Sequence, residues 1–340
     1  MIEKNILENL LSGTNLNIEE SEKLVHAIAS NEINEIMAAG ILVALRMKGE
    51  HPKEVAGFAN GMRALSLSPE IDNTGDTIDV VGTGGDGSKS LNISTGSALL
   101  AAACGLKVVK HGNRSISSSS GSADVLESLG FPINQSPSKN QGMLDTIGFT
   151  FLFAPNYHPA MKNIAPIRKS LGVRTIFNML GPLVNPHKVS HLVVGAFSPE
   201  VSKLMASSLK SLPIKRAVVI HGENGWDEAT PICPFQLIDV KTEKENKSEI
   251  INPSDLGIMP CDAKDLLGMG PEENCRRLYS ALCNEDTLAH RETLCLGAGI
   301  ALYTAGATNN IKNAIDYAKN TLALGKAKRL IQTIKGLDSE

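Results

Sequence analysis

Aromatic residues are scarce in this 340-residue chain, at 4% with a single tryptophan, so its core must be built largely from aliphatic side chains. Long hydrophobic runs are missing as well. None approaches the ~20 residues that a membrane-spanning helix requires. The opening Met1-Ile2-Glu3-Lys4-Asn5 lacks a basic head followed by an apolar stretch, so no secretory signal is expected. No CxxC pair occurs. Cys104, Cys233, Cys261, Cys275, Cys283 and Cys295 are expected to be reduced, mostly buried thiols of a cytoplasmic protein. An excess of one charge is also lacking. Thirty-three Lys and Arg against 36 Asp and Glu leave a formal charge of −3, which argues against nucleic acid or an anionic membrane as the main partner. What remains is 42% hydrophobic and 20% charged, enough apolar material for one sizeable core and a satellite.

Two textures follow one another along the chain. Up to about residue 67 the signals are helical. Ile6, Leu7, Leu10 and Leu11 recur at helical spacing before Gly13, and Asn17 stands three residues before Glu20 as an N-cap. Ile36 to Met47 reads as a helix stopped by Gly49, and Pro52 opens another that carries Val55, Phe58, Met62 and Leu65. Beyond that, short apolar runs alternate with helical segments. Strands are predicted at 78–81, 106–109, 149–153, 191–197 and 216–220, with helices at 98–103 and 123–129. Such alternation implies a mostly parallel sheet covered on both faces. Residues 158–186 read as helical and are placed on the N-terminal bundle. Lys241 to Lys247 reads as a solvated hairpin or loop, and helices dominate from Cys261 onward.

Ligands of open α/β sheets gather at the carboxyl ends of strands, so those loops carry the functional reading. Gly82-Thr83-Gly84-Gly85-Asp86-Gly87-Ser88 follows the first strand, where glycines let backbone N–H groups approach an anion. The same residues also suit a tight turn without a ligand. GxGxxG is satisfied, yet the second strand ends in Lys110-His111 and not in the acidic residue that a dinucleotide fold uses for a ribose. The P-loop fails too, because Lys89 falls one position late. In Asn92-Ile93-Ser94-Thr95-Gly96, Ser94 or Thr95 can cap the following helix, hold a phosphate or hydrated Mg²⁺, or do both. Lys110 through Ser122 offers two cations, hydroxyls and a helix start, a set suited to a multiply charged phosphate. Arg168 and Arg174 lie in a segment dense in apolar residues and prolines, where an arginine can fork a carboxylate. Asp227-Glu228 after the fifth strand supplies two hard oxygen ligands of the kind that Mg²⁺ takes alongside phosphates. His111, His158 and His221 show no metal-ligand spacing, and no Ser-His-Asp arrangement is present.

Taken in order, Gly82-Thr83-Gly84-Gly85-Asp86, Asn92-Ile93-Ser94-Thr95, Lys110-His111-Gly112-Asn113-Arg114, the Ser120-Gly121-Ser122 before Ala123-Asp124, Arg168 and Asp227-Glu228 resemble the anthranilate phosphoribosyltransferases. The likeness runs over nearly the whole chain. It implies an α/β fold of the nucleoside-phosphorylase type, a mostly parallel sheet flanked by helices plus a smaller, discontinuous all-α domain. The helical domain would be 1–70 with helices from about 158–186. The phosphoribosyl-pyrophosphate domain would be 71–157 and 187–340. The implied reaction is transfer of the phosphoribosyl group to the anthranilate amine, the second step of tryptophan biosynthesis, by a homodimer joined through the helical domain.

The resemblance also assigns residues. Gly82, Gly85, Asp86, Ser90, Asn92, Ile93, Ser94, Thr95, Lys110, His111, Gly112, Asn113, Arg114, Ser115, Ile116, Ser117, Ser118 and Ser122 would line the phosphoribosyl pyrophosphate site. Ser94, Asp227 and Glu228 would hold Mg²⁺, and Gly82, Asn113 and Arg168 would touch anthranilate. No acid or base is assigned. One departure is Ser119, where the family often has lysine. Two rivals share the fold: a pyrimidine-nucleoside phosphorylase, which would use free phosphate without paired carboxylates, and a nucleic-acid-binding relative, which would need a basic groove.

Overall fold

The computed structural model describes residues 2–72, 75–115 and 120–337. Four helices open the chain: α1 (Ile2–Leu11), α2 (Ile18–Ala29), α3 (Glu35–Lys48) and α4 (Pro52–Ala64). Their ends follow the sequence signals. Asn17 and Glu20 form a reciprocal capping box on α2, Gly49 ends α3 with a positive φ of 85°, and Pro52 occupies the first turn of α4.

The rest of the chain is a seven-stranded sheet with its covering helices. Its strands are β1 (Thr77–Gly82), β2 (Lys107–Gly112), β3 (Phe149–Phe153), β4 (His191–Gly195), β5 (Arg216–Gly222), β6 (Phe235–Lys241) and β7 (Lys247–Ile251). They lie in the order β3-β2-β1-β4-β5-β6-β7. The first five are parallel, and β6 and β7 add an antiparallel edge. The sequence predicts only the five parallel strands. β6 escaped because it alternates near an edge, half of it polar, whereas the expected hairpin at Lys241–Lys247 is the turn between β6 and β7.

Two differences at strand ends matter for the site. β2 continues through Lys110, His111 and Gly112, which pair with Phe151, Leu152 and Phe153, so these residues belong to the sheet and not to a loop after it. The helix expected at 98–103 begins at Ile93, as α5 (Ile93–Ala103), placing Ser94 and Thr95 in its first turn. Neither caps it. Its N-cap is Asn92, whose side chain makes no capping bond.

Further helices are α6 (Ser122–Ser128), α7 (Asn140–Ile147), α8 (Ala154–Tyr157), α9 (Met161–Leu171), α10 (Phe177–Leu180), α11 (Pro199–Leu209), α12 (Pro271–Leu282), α13 (Leu288–Thr304), α14 (Ile311–Ala323) and α15 (Lys326–Leu337). One sheet face, with Ile78, Val80, Val108, Phe149 and Val218, packs on α5 and α12–α15. The other, with Leu192, Val194 and Val219, shares a core with α11, α4 and the rest of the N-terminal bundle. Ile164 and Ile167 of α9 and Phe177 of α10 enter that same core, and Phe177 meets Phe58 of α4 edge to face at 5.7 Å. The bundle is thus continuous with one layer of the sheet.

Candidate active site

Strand β1 reads Thr-Ile-Asp-Val-Val-Gly and then enters the glycine loop, where Gly84, Gly85 and Gly87 all have φ near +70°. Only glycine adopts that backbone at little cost, so the loop is a run of N–H groups without side chains to cover them. The side chain of Asp86 folds the loop by accepting from the backbone N–H and the hydroxyl of Ser88 (3.0 and 2.9 Å). Exit from the loop is locked by a small apolar cluster of Leu91, Ile93, Leu266 and the lone tryptophan, Trp226. Leu91 also donates its N–H to the Leu266 carbonyl at 2.9 Å.

Trp226 anchors the acidic pair. Asp227 reaches over β1 and accepts from the N–H of Gly84 at 2.6 Å, while its own N–H donates to Asp86 at 3.3 Å. The approach is possible because two neighbours lack a Cβ. A methyl group on Gly195 would sit 1.6 Å from the Asp227 carbonyl oxygen, and one on Gly82 would sit 2.4 Å from its carboxylate. Glu228 accepts from the N–H of Ser94 at 3.1 Å and supplies the anion at the N-terminus of α5. The pair therefore lies across the carboxyl ends of β1 and β4, where the strand order changes direction. Burial, reinforced by the Asp86 carboxylate, pushes Asp227 up to about 7; burial and Asp227 raise Glu228 well above the usual range. Three carboxyl groups that repel one another in a buried place are an arrangement that a divalent cation relieves. Among the described residues no group of three or more His, Cys, Asp or Glu side chains forms a complete metal cage.

The expected cations are arranged otherwise. Lys110 is 2% exposed and donates to the Val80 carbonyl from within the sheet, facing Asp79 and Glu228; burial lowers its pKa. Arg114 turns outward to Asp124 and Glu127 of α6, both at 2.8 Å. Of the two charges, Lys110 is closed off inside the sheet, whereas the Arg114 side chain stays exposed beside its carboxylate partners. Lys110 compensates buried carboxylates from below, and Arg114 ties its loop to α6.

That loop is closed at its ends. Gly121 and Ser115 both donate N–H groups to Asp124, and the Ser122 hydroxyl donates to the Asn113 carbonyl at 3.2 Å. Ile116, Ser117, Ser118 and Ser119 lie outside the described residues. Asn92 joins this loop to the glycine loop, donating to the Ser120 carbonyl at 3.1 Å and accepting from Asn274 at 3.2 Å. Ser90 receives the Ser88 hydroxyl at 3.2 Å, and Thr95 is buried in α5.

Arg168 on α9 is half-buried with its guanidinium 5.7 Å from the Phe177 ring, and burial lowers its pKa. No direct bond joins it to the glycine loop among the described residues. Arg174 makes that link instead, donating to the Gly85 carbonyl while stacked 4.1 Å from the Phe197 ring. His111 and His158 meet edge to face at 5.0 Å, and burial lowers them to about 3 and about 4, so both rings stay neutral at physiological pH. Sequence reading missed Gly195, Trp226, Asn274, Asp79 and Asn185. Asp79 left a signal, a charge in the middle of an apolar strand; the others left none that points to a site.

Comparison with known proteins gives the same picture. The family model described as "Glycosyl transferase family, a/b domain" matches residues 74–328, and its "helical bundle domain" matches 4–66. The anthranilate phosphoribosyltransferase of Methanopyrus kandleri is 37% identical, covering 98% of this chain and 99% of that protein. The one of Prochlorococcus marinus (strain NATL2A) is 40% identical over 97% and 95%. The crystal structure of anthranilate phosphoribosyltransferase from Thermus thermophilus superposes with a TM-score of 0.92 at 37% identity, covering 98% and 99%. The Saccharomyces cerevisiae enzyme in complex with PRPP and Mg shares the fold at 24% identity and a TM-score of 0.86, covering 99% of this chain and 98% of that one. The chain belongs to the anthranilate phosphoribosyltransferase family.

Proposed function

We propose that the chain transfers the 5-phosphoribosyl group of phosphoribosyl pyrophosphate to the amine of anthranilate, releasing pyrophosphate, in tryptophan biosynthesis. The observation that carries this reading is the glycine loop laid directly against Asp227, with Glu228 on the first turn of α5, at the β1/β4 crevice. Residues 82–95 hold the donor through backbone N–H groups and the hydroxyls of Ser90 and Ser94. Asp227 and Glu228, with Ser94 beside them, would hold Mg²⁺, which neutralises charge on the departing pyrophosphate when bound. The yeast relative solved with PRPP and Mg supports that choice of ion.

The amine nitrogen forms its bond to the anomeric carbon as the C–O bond to pyrophosphate breaks, and the electron pair leaves with pyrophosphate. Gly82, Asn113 and Arg168 form the acceptor place, with the Arg168 guanidinium turned to the anthranilate carboxylate. Alignment of this kind lowers a barrier by as much as ~7–11 kcal/mol. The substituted arylammonium is a strong acid and sheds its proton without a strong base. Burial keeps His111 and His158 neutral, so neither stores that proton as a cation.

The test is loss of anthranilate fluorescence on adding phosphoribosyl pyrophosphate. It is expected only with Mg²⁺, with Arg168→Ala raising the KM for anthranilate at least tenfold more than that for the donor. Phosphate-dependent cleavage of thymidine or uridine, with anthranilate left unconsumed, would contradict the reading.

Helices α9 and α10 complete the N-terminal bundle as one domain, and this domain joins two copies of the chain. Ile36 and Met47, 87% and 81% exposed, share a stripe of α3 with Val43 and Gly40, beside exposed Leu11 of α1. An apolar stripe of this size on a domain surface suits a protein partner. Light scattering should give twice the chain mass; a monomer at every concentration contradicts it. The six cysteines are free thiols and suit the reducing cytoplasm. No helix among the described residues is long and apolar enough to cross a membrane.

A further inference from the structure

The ladder between β1 and β2 stops early. Only Thr77↔Lys107 and Ile78↔Val108 pair, although β1 stays paired to β4 as far as Gly82↔Gly195 and β2 to β3 as far as Gly112↔Phe153. The two strands therefore part just where each approaches its site loop. Backbone groups buried in such a gap need other partners. Three side chains supply them. The Asp79 carboxylate accepts from the His111 N–H at 3.2 Å, the Lys110 ammonium donates to the Val80 carbonyl, and Asn185 stands in the gap itself.

Asn185 is 1% exposed and lies on the connection from α10 to β4. Its Nδ2 donates both to Asp79 at 2.9 Å and to the Val109 carbonyl at 2.8 Å. Its Oδ1 accepts from the His187 N–H at 3.0 Å. Two acceptors face the amide nitrogen and one donor faces the oxygen, so a single orientation satisfies all three. Nothing smaller bridges β1, β2 and the crossing segment at once, and a carboxylate there would face two acceptors.

We infer that Asn185 is a positioning residue, a wedge that sets how far the β2 end carrying His111–Asn113 stands from the β1 end carrying Gly82. This rests on the function proposed above, in which the acceptor lies between Gly82 and Asn113. The resemblance places the donor on both sides, on residues 82–95 of the β1/β4 side that remains fully paired and on residues 110–122 of the β2 end, whereas the acceptor lies between the two ends that part. Removing the wedge therefore acts on both substrates, and more on the acceptor, whose place is set by the separation of the two ends.

Asn185→Ala and Asn185→Ser are to be compared with the parent for both KM values, kcat and Tm. Asn185→Ala should raise the anthranilate KM at least tenfold and the phosphoribosyl pyrophosphate KM by a smaller factor. Asn185→Ser, which keeps one donor, should fall between. If Asn185→Ala does not yield folded protein, the serine variant carries the test with the same split. A lowered Tm with both KM values at the parent level overturns the inference, as does an equal rise in both. Failure of the parent to consume anthranilate overturns the underlying functional reading instead, so the two failures are told apart.

Discussion

The two crevices that flank β1 are built by opposite means. On the β4 side the backbone ladder is complete to Gly82↔Gly195, and the site exists because two side chains are missing, so that Asp227 can lie on both glycines. On the β2 side the ladder is broken after Ile78↔Val108, and the site exists because three side chains, Asp79, Lys110 and Asn185, are present. A site made by absent atoms is rigid and fails abruptly when atoms are added. One made by hydrogen-bonding side chains is adjustable, and its failure is graded.

The largest effect expected from this contrast is at Gly195. Gly195→Ala places a methyl 1.6 Å from the Asp227 carbonyl oxygen, so the acidic loop must move. Stability should fall by about 1–3 kcal/mol, and Mg²⁺-dependent turnover on the order of 10²-fold. Gly142→Ala in α7, with nothing within 4 Å of an added Cβ, is the control and should be neutral or slightly stabilising. Equal effects at the two glycines would erase the comparison.

The wedge variants come next, with a tenfold change in the KM of one substrate and a smaller change in that of the other. A third effect, readable without substrate and spread over several pH units, concerns the carboxyl cluster. Burial and Asp86 raise Asp227 to about 7 in the folded protein, above its unfolded value. A raised carboxyl pKa leaves stability intact below the unfolded value and removes it as pH rises to the folded one. Metal-free Asp227→Asn should therefore match the parent near pH 4 and gain on it up to about pH 7. The gain is limited to ~1.4 kcal/mol per pH unit, and the difference should then level off. Thermal unfolding across that range checks it; a constant difference, or one of the opposite sign, would mean that the cluster carries no strain.

Much of this architecture is legible in the amino-acid sequence. Asn17 with Glu20, Gly49 and Pro52 mark helix ends through local chemistry that acts within a turn, and they sit where those rules put them. Gly84 and Gly87 announce a left-handed loop for the same local reason. What fails to show depends on distant partners. Lys110 and His111 look like a polar loop because their burial is made tolerable by Val80, Asp79 and the ring of His158, none of which is a sequence neighbour. Arg114 looks free until α6 supplies Asp124 and Glu127. Gly195 and Asn185 read as part of a strand and as the end of a helical segment before proline. Their meaning lies in the Asp227 loop and in the parted strands, which only the folded chain brings to them.

The most direct test of the two-crevice account is a crystal soaked with phosphoribosyl pyrophosphate, Mn²⁺ in place of Mg²⁺, and anthranilate, read by the anomalous signal of manganese. The account predicts a manganese peak beside Asp227 and Glu228 with the aromatic ring on the other side of β1, between Gly82 and Asn113. Manganese bound away from both carboxylates, or the ring lodged on the β4 side, would contradict it.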